Sequence, residues 1–354
     1  MSSAILYNYQ KWTSFIEGDV VILESEYPVI LSDFDPKSKL QHITCFFKQV
    51  YTLLKNWKQY QVIITQISGY HAFIPSLLSL MKLKKHIILL HGTDCNIIYK
   101  INYGNLGKPM LGWFTKKSMQ WASLLLPVSN SLVHNTSTYL DEDECSLGLS
   151  KNIPNLTTPI VILANGIRTE QFVITQTERP PKSFLTVALH LEKERNFILK
   201  GIDLIIDLAK LNPDYTFTIL GSGTLYNYNN TLPNVHIINK VPHNDLPDYY
   251  NRHRYYLQLS MSESFGLALC ESMLCGCIPI VSDTGIMPEI VQDYGYILKK
   301  KDVATLNSMI IKAIEQPQSA VPDMMKKMHD SVSERFDMRL RKTNLLNIVQ
   351  KIMN

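Results

Sequence analysis

The sequence predicts an α/β protein of two doubly wound, Rossmann-like domains. Three observations carry this reading. Short apolar runs alternate with helical stretches through the first half, the alternation restarts after a proline-marked link at Pro180 and Pro181, and 354 residues exceed one ordinary domain. With 45% hydrophobic and 19% charged residues, the composition is that of a globular protein with an ample core.

The first domain is expected over residues 1–175. Strands are predicted at 4–7, 27–31, 62–65, 86–90 and 124–128, with a last one at 160–163. Helices are predicted from Ser14, over 40–54, after Gly69, over 106–122 and over 130–140. The acidic run from Asp141 to Glu144 and the polar stretch to Thr158 read as a surface excursion, and residues 175–182 as the interdomain link. The second domain is expected over 182–336, with strands at 184–188, 216–220, 235–238 and 278–281, and helices at 201–211, 245–251, 306–314 and 324–336. The tail 337–354 is expected to form a helix that packs back on the first domain.

No run reaches ~18 uninterrupted apolar residues, and no basic region followed by an apolar run opens the chain, so the expected location is the cytosol. The six cysteines are scattered, which excludes a disulfide framework. Cys275-Gly276-Cys277 lacks the C-x-x-C spacing of zinc or redox sites, so no metal is expected.

Charge is unevenly distributed. From Pro36 to Leu140 there are twelve lysines, no arginine and a single acid, Asp94, which gives that segment +11 within a chain of net +4. Such a face suits an anionic bilayer or an acidic substrate; the missing arginines count against nucleic acid. Two amphipathic stretches favour the bilayer, one over 73–85 and one over 108–121, where Trp113, Phe114 and Trp121 sit beside Lys116 and Lys117. Two ordinary helices with lysine-rich solvent faces explain the pattern equally well.

The chemistry concentrates at 257–291, LQLSMSESFGLALCESMLCGCIPIVSDTGIMPEIV. This reads as strand, loop, helix and strand. Residues 262–265 are expected to supply the turn and the N-cap, and Gly276 to close the helix. A loop entering a helix offers unpaired N–H groups to a phosphate, and Gly266 lets backbone approach it. Glu263 and Glu271 flank that anion site and suit hydroxyls, which points to a nucleotide sugar. By spacing alone the pair is weak, since eight positions make ~2.2 turns and share a helix face only loosely.

The string ESFGLALCESMLCGCIPIVSDTGIMPEIV resembles the donor-site signature of the retaining glycosyltransferases of family 4, in which two glutamates bracket a phenylalanine-glycine loop. The resemblance implies the GT-B fold, with the site in a cleft between the two domains. It implies that Glu263 holds sugar hydroxyls, Glu271 the ribose diol, and Phe265, Gly266 and Leu267 the phosphate loop. Lys200, before Gly201, matches the second of two diphosphate-gripping cations. Arg195 is the nearest arginine for the first, since Ala188-Leu189-His190 stands where the family has Gly-Arg. Gly221 and Gly223 resemble its glycine turn, and Val241 sits where it lines the base pocket. In His91-Gly92-Thr93-Asp94, His91 matches a histidine that hydrogen-bonds the sugar, and Asp94 either orders the loop or meets acceptor. His86, His134 and His243 are expected to be ordinary.

The activity implied is metal-independent, retaining transfer from a nucleotide-diphosphate sugar, UDP favoured over GDP, to a glycan or lipid-linked acceptor in bacterial surface polysaccharide or glycoconjugate synthesis. No cofactor is implied, and the location is cytoplasmic or peripheral on the inner face of the plasma membrane. Two other classes remain: a sugar-nucleotide 2-epimerase of the same fold, which needs an acid and a base and no acceptor, and a non-catalytic glycan-binding partner of an active transferase.

Overall fold

The computed structural model describes residues 4–229, 231–317 and 321–353. The chain divides into two compact units, one of residues 1–134, 145–165 and 339–354, the other of 135–144 and 166–338. In chain order the first unit holds β1 (Ala4–Tyr9), α1 (Ser14–Glu24), β2 (Val29–Asp33), α2 (Lys39–Lys55), β3 (Tyr60–Gln66), α3 (Phe73–Leu80), β4 (Lys85–Leu90), β5 (Ile97–Ile98), α4 (Pro109–Trp121), β6 (Leu124–Pro127), β7 (Cys145–Ser146) and α5 (Leu149–Asn152). Its main sheet is parallel throughout, in the order β2-β1-β3-β4-β6. A sheet covered on both faces needs near-continuous apolar strands. β4 supplies one, with Ile87, Ile88, Leu89 and Leu90 all fully buried.

One buried chain of polar groups threads this core. Asn8 Nδ2 donates to Thr65 Oγ1 at 3.2 Å, and Thr65 meets His86 Nε2 at 2.8 Å. On the other side His86 Nδ1 meets Ser76 Oγ at 2.8 Å, and that hydroxyl gives its one proton to the Ser118 carbonyl. Ser76 must therefore accept, so His86 carries its proton on Nδ1 and takes one from Thr65 on Nε2. Burial holds this neutral imidazole down at about 3. His86 is structural, as its sequence context suggested.

The second unit holds β8 (Ser183–Val187), α6 (Glu194–Leu199), α7 (Ile202–Leu211), β9 (Thr216–Leu220), β10 (Val235–Ile238), α8 (Leu246–Arg252), β11 (Tyr255–Gln258), α9 (Leu267–Leu274), β12 (Ile278–Ser282), α10 (Met287–Val291), β13 (Tyr296–Leu298), α11 (Val303–Ile314) and α12 (Val321–Phe336). The last helix, α13 (Met338–Met353), lies almost wholly in the first unit. The second sheet is also parallel, ordered β10-β9-β8-β11-β12-β13.

Three expectations are corrected. Residues 130–140 do not form an α-helix. After a short 3-10 turn at Asn130–Leu132 the chain leaves for the second unit, where Thr138 Oγ1 donates to Asp283 Oδ2 at 2.6 Å and Lys299 lies 3.3 Å from the same carboxylate. Residues 160–163 are extended beside β6 but make only one bridge, Leu125 with Ile160: Leu163 N donates to the Pro127 carbonyl, and Pro127 has no N–H to return the second bond. The division between units falls ahead of the diproline: Ile167 N donates to the Phe336 carbonyl at 2.8 Å and Thr175 N to Asn251 Oδ1 at 2.9 Å, so the link is bound to the second unit. Arg179 completes that attachment by donating to the carbonyls of Tyr250, His253 and Cys275.

Candidate active site

In the second unit the strand order reverses between β8 and β11, and doubly wound sheets bind ligands beyond the carboxyl ends of strands at such a reversal. The loops leaving these two ends carry the carboxylate and the cation. Gln258, the last residue of β11, donates to Glu263 Oε2 at 2.9 Å. Lys200 Nζ, at the close of α6, reaches the same oxygen at 2.9 Å. Both bonds fall on Oε2, which orients the carboxylate. Gln258 was invisible in the sequence, since within a strand nothing marks which polar residue points into a site.

The residue that starts α9 is Gly266 itself, at φ 83°, not a side-chain cap from 262–265. That left-handed conformation favours glycine, and no side chain caps the helix, so its first N–H groups keep their positive end for an anion. Gly285, at φ 58°, lies so close that a Cβ there would stand 1.8 Å from the Glu263 carbonyl oxygen. The backbone after β12 thus braces the loop that carries Glu263. Phe265 is fully buried and packs edge to face on Phe336 at 5.1 Å, so it anchors this loop from beneath instead of presenting a face to ligand. Leu267 is half-buried at the first position of α9.

Glu271 is buried within α9, and each of its oxygens is engaged. Tyr250 OH donates to Oε2 at 3.0 Å and His243 Nε2 meets Oε1 at 2.9 Å. The Glu271 carboxylate raises the His243 imidazole above its ordinary value, and Phe172 packs edge to face on that ring at 5.5 Å. His243 is therefore part of this cluster, contrary to the expectation that it is ordinary. Its only sequence signal was its place two residues after Val241, where the resemblance puts the lining of the base pocket. Val241 is half-buried there. Gly221 and Gly223 flank Ser222, whose Oγ accepts from Leu191 N at 3.0 Å and donates to Glu192, tying the turn after β9 to the loop after β8. Arg195 is exposed on the first turn of α6; the structure brings Lys200, and not Arg195, to Glu263.

In the first unit His91 follows β4 and is fixed by a directional network. Arg341, from α13, donates to both oxygens of Asp19, at 2.7 and 2.9 Å, and all but a few per cent of both side chains is buried. Asp19 also accepts from Gln66 Nε2 at 3.0 Å. A carboxylate only accepts, so the Gln66 amide must turn its nitrogen to Asp19 and its oxygen to His91. His91 Nε2, 2.5 Å from that oxygen, is then the donor, and Nδ1 carries the lone pair. Burial and the Arg341 charge hold the ring neutral, down at about 4. Asp94 is fully buried, accepts from the backbone N–H groups of Ser68, His91 and Gly92, and orders the loop; a carboxylate so occupied has no surface for acceptor.

Residues 180–332 match the family described as Glycosyl transferases group 1. The match falls wholly within the second unit. Lys200, Gln258, Glu263 and Glu271 all lie within the matched residues. Over 75 residues the chain is 33% identical to an O-antigen chain mannosyltransferase B of Escherichia coli, which is 21% of this chain and 20% of that one. It is 26% identical to the GPI3 subunit of a Saccharomyces cerevisiae phosphatidylinositol N-acetylglucosaminyltransferase over 40% of this chain and 34% of that one. It is also 22% identical to an N-acetyl-alpha-D-glucosaminyl L-malate synthase of Bacillus anthracis, over 71% and 64%. The first two matches thus span less than half of those relatives' length. Among solved structures, a sucrose-phosphate synthase from Thermosynechococcus elongatus superposes with TM-score 0.76 at 13% identity, over 99% of both chains. HepE of Anabaena, in complex with UDP and glucose, superposes with TM-score 0.69 at 13% identity, over 99% of this chain and 100% of that one. At such identity the likeness establishes the fold, which is GT-B.

Among the described residues no helix is long and apolar enough to cross a membrane, and no three His, Cys, Asp or Glu side chains are grouped as a metal ion requires.

Proposed function

We propose that the chain is a retaining glycosyltransferase that works without a metal and moves a sugar from a nucleotide-diphosphate sugar to a hydroxyl of a glycan or lipid-linked acceptor. The observation that carries this is the grouping of Lys200, Gln258 and Glu263 around the uncapped start of α9, at the strand reversal of a group 1 domain. The α9 amides bind the diphosphate and Lys200 neutralises it, with Arg195 as a second, exposed cation. Glu263 accepts from hydroxyls of the transferred sugar. Glu271, with His243 beside it, accepts from the ribose diol, and Val241, Gly221 and Gly223 border the nucleoside.

His91 presents the lone pair of Nδ1 and so accepts from a sugar hydroxyl. As the bond between sugar and diphosphate breaks, the acceptor hydroxyl attacks on the face the nucleotide leaves, and its proton passes to a diphosphate oxygen. HepE crystallised with UDP and with UDP-glucose, which supports a UDP-sugar here. The match to an O-antigen mannosyltransferase supports a role in bacterial surface polysaccharide or glycoconjugate synthesis, and the +11 segment supports a cytoplasmic protein held at an anionic bilayer.

The test is release of nucleoside diphosphate by the purified full chain. It is expected to rise with acceptor, to proceed in the presence of a chelator, and to fall about a hundredfold or more in Glu263→Ala. A protein that bound no nucleotide sugar in a thermal-shift screen would overturn the reading.

A further inference from the structure

The sequence drew attention to α3 and α4 as amphipathic, yet much of their aromatic surface is spent internally. Phe73 packs against Phe114 at 4.7 Å, Trp121 at 5.4 Å and Trp113 at 5.6 Å, and Lys117 sits over the Trp121 ring. The unpartnered face belongs to α2. Leu40 is 78% exposed and Phe47 72%, and Ile43, Tyr51 and Leu54 are exposed as well. Positions 40, 43, 47, 51 and 54 form one stripe ~80° wide at ~100° per residue, running the length of the helix. The opposite side is what packs: Leu53 is buried with Tyr60 and Ile63, and Phe46 sits against Phe34 at 5.0 Å. A helix already seated on its sheet has no folding reason to leave five large apolar side chains in water.

The neighbouring surface continues the pattern. Trp57, just past α2, packs with Ile74 and Leu78 of α3 on one cluster, and Lys84 Nζ donates to the Trp57 and Tyr60 carbonyls at 2.6 Å each. The end of α2 therefore adjoins the turn between α3 and β4, where Leu80, Met81 and Leu83 are exposed among Lys82 and Lys85. Beside that turn a cavity of about 560 Å³ is lined by Gln61, Ser79, Lys82, Lys84, Lys85 and Ser123, among others.

Charge decides the occupant. α2 contains no acid, Lys48 and Lys55 border its stripe, Lys48 is held 2.6 Å from Asp33 ahead of the helix, and from residue 36 to residue 140 the one carboxylate, Asp94, is fully buried. Two copies pairing through this face would set lysine against lysine, and the nearby Asp33 is already engaged by Lys48. An apolar stripe rimmed by cations of one sign matches the interface of a bilayer that carries negative headgroups.

We propose that α2 is a membrane-surface helix, lying in the plane of an anionic phospholipid bilayer with Leu40, Ile43, Phe47, Tyr51 and Leu54 inserted and Lys55, Lys82 and Lys85 on the headgroups. This deepens the bilayer part of the proposed function and rests on it. Partition is read without donor sugar, so it fails or succeeds separately from nucleotide-sugar turnover.

The experiment is cosedimentation of the full chain with vesicles of phosphatidylcholine, alone or mixed with phosphatidylglycerol, at low and high salt. Binding is expected only to the mixed vesicles, to weaken at least about tenfold at high salt, and to fall about tenfold or more in Leu40→Ser/Phe47→Ser. Val173→Ser, an exposed apolar residue of the other unit, is the control and is expected to bind as the parent does. Because the α2 side chains are exposed, far-ultraviolet circular dichroism of the variant should match the parent. Unchanged partition in the α2 variant, equal binding to neutral vesicles, or a dimer in light scattering that Phe47→Ser dissolves would each overturn the proposal, the last by giving the face to a second copy.

Discussion

At the scale of single residues, the most consequential device is the polarity of the network behind His91. Arg341 and Asp19 are a fully buried pair, and Asp19 turns the Gln66 amide, so one ion pair sets which nitrogen of His91 carries the proton. In Arg341→Met the buried Asp19 loses its partner and His91 loses a nearby positive charge. The His91 pKa is then expected to climb from about 4 toward its ordinary value, and the acid limb of the rate profile to move to higher pH with it. The unpaired carboxylate should also cost about 3–5 kcal/mol of stability, and Arg341→Lys, which keeps the charge, should recover most of both effects. Imidazole titration by NMR beside the rate profile checks this. A folded Met variant with an unshifted limb would remove Arg341 from the account.

At the scale of elements, the loop between β11 and α9 is held from several directions, by Phe265 beneath, Gly285 behind and Lys200 and Gln258 on the carboxylate. Gly285→Ala tests the rear brace. Its φ of 58° is tolerable for alanine at modest cost, but the new Cβ would overlap the Glu263 carbonyl, so that backbone has to move. We expect about 1–3 kcal/mol of destabilisation by chemical denaturation and a rise in KM for donor larger than that caused by an equally destabilising substitution elsewhere in the sheet. A variant with parent stability and parent KM would mean that the loop is not braced there. α9 itself was readable in advance from its apolar spacing and Gly276. Its N-terminus was not, because a helix that begins on a left-handed glycine has no capping side chain for the sequence to display.

At the scale of the whole molecule, stability should depend on pH in a definite direction. Burial depresses His71 to about 4, His86 to about 3 and His91 to about 4. Each takes up a proton on unfolding between those values and the ordinary 6.5, so the unfolded chain binds more protons there and stability rises with pH. Their contribution is intact above 6.5 and drains as pH falls toward 4. Asp94, raised by burial, and His243, raised by Glu271, oppose this, but they are two groups against three and His243 is largely exposed. The thermal midpoint of the first unit is expected to drop between pH 7 and pH 4.5 by calorimetry; a midpoint that rises would refute the assignment.

By itself the sequence determined the two alternations of strand and helix and the basic first half, while Glu263, Glu271 and Lys200 were singled out by a family resemblance. The first two are written in local periodicity and composition and the last in a local motif, none of which needs knowledge of what lies across the fold. Tertiary structure alone decided that residues 135–144 join the second unit, that α13 returns Arg341 to Asp19, that Gln258 and His243 reach the two glutamates, and that the apolar face left in water belongs to α2. Each of these joins residues far apart in the chain, or depends on which way a side chain points once its strand or helix is packed. Such facts arise from packing, and one chain read in order carries no local mark of them.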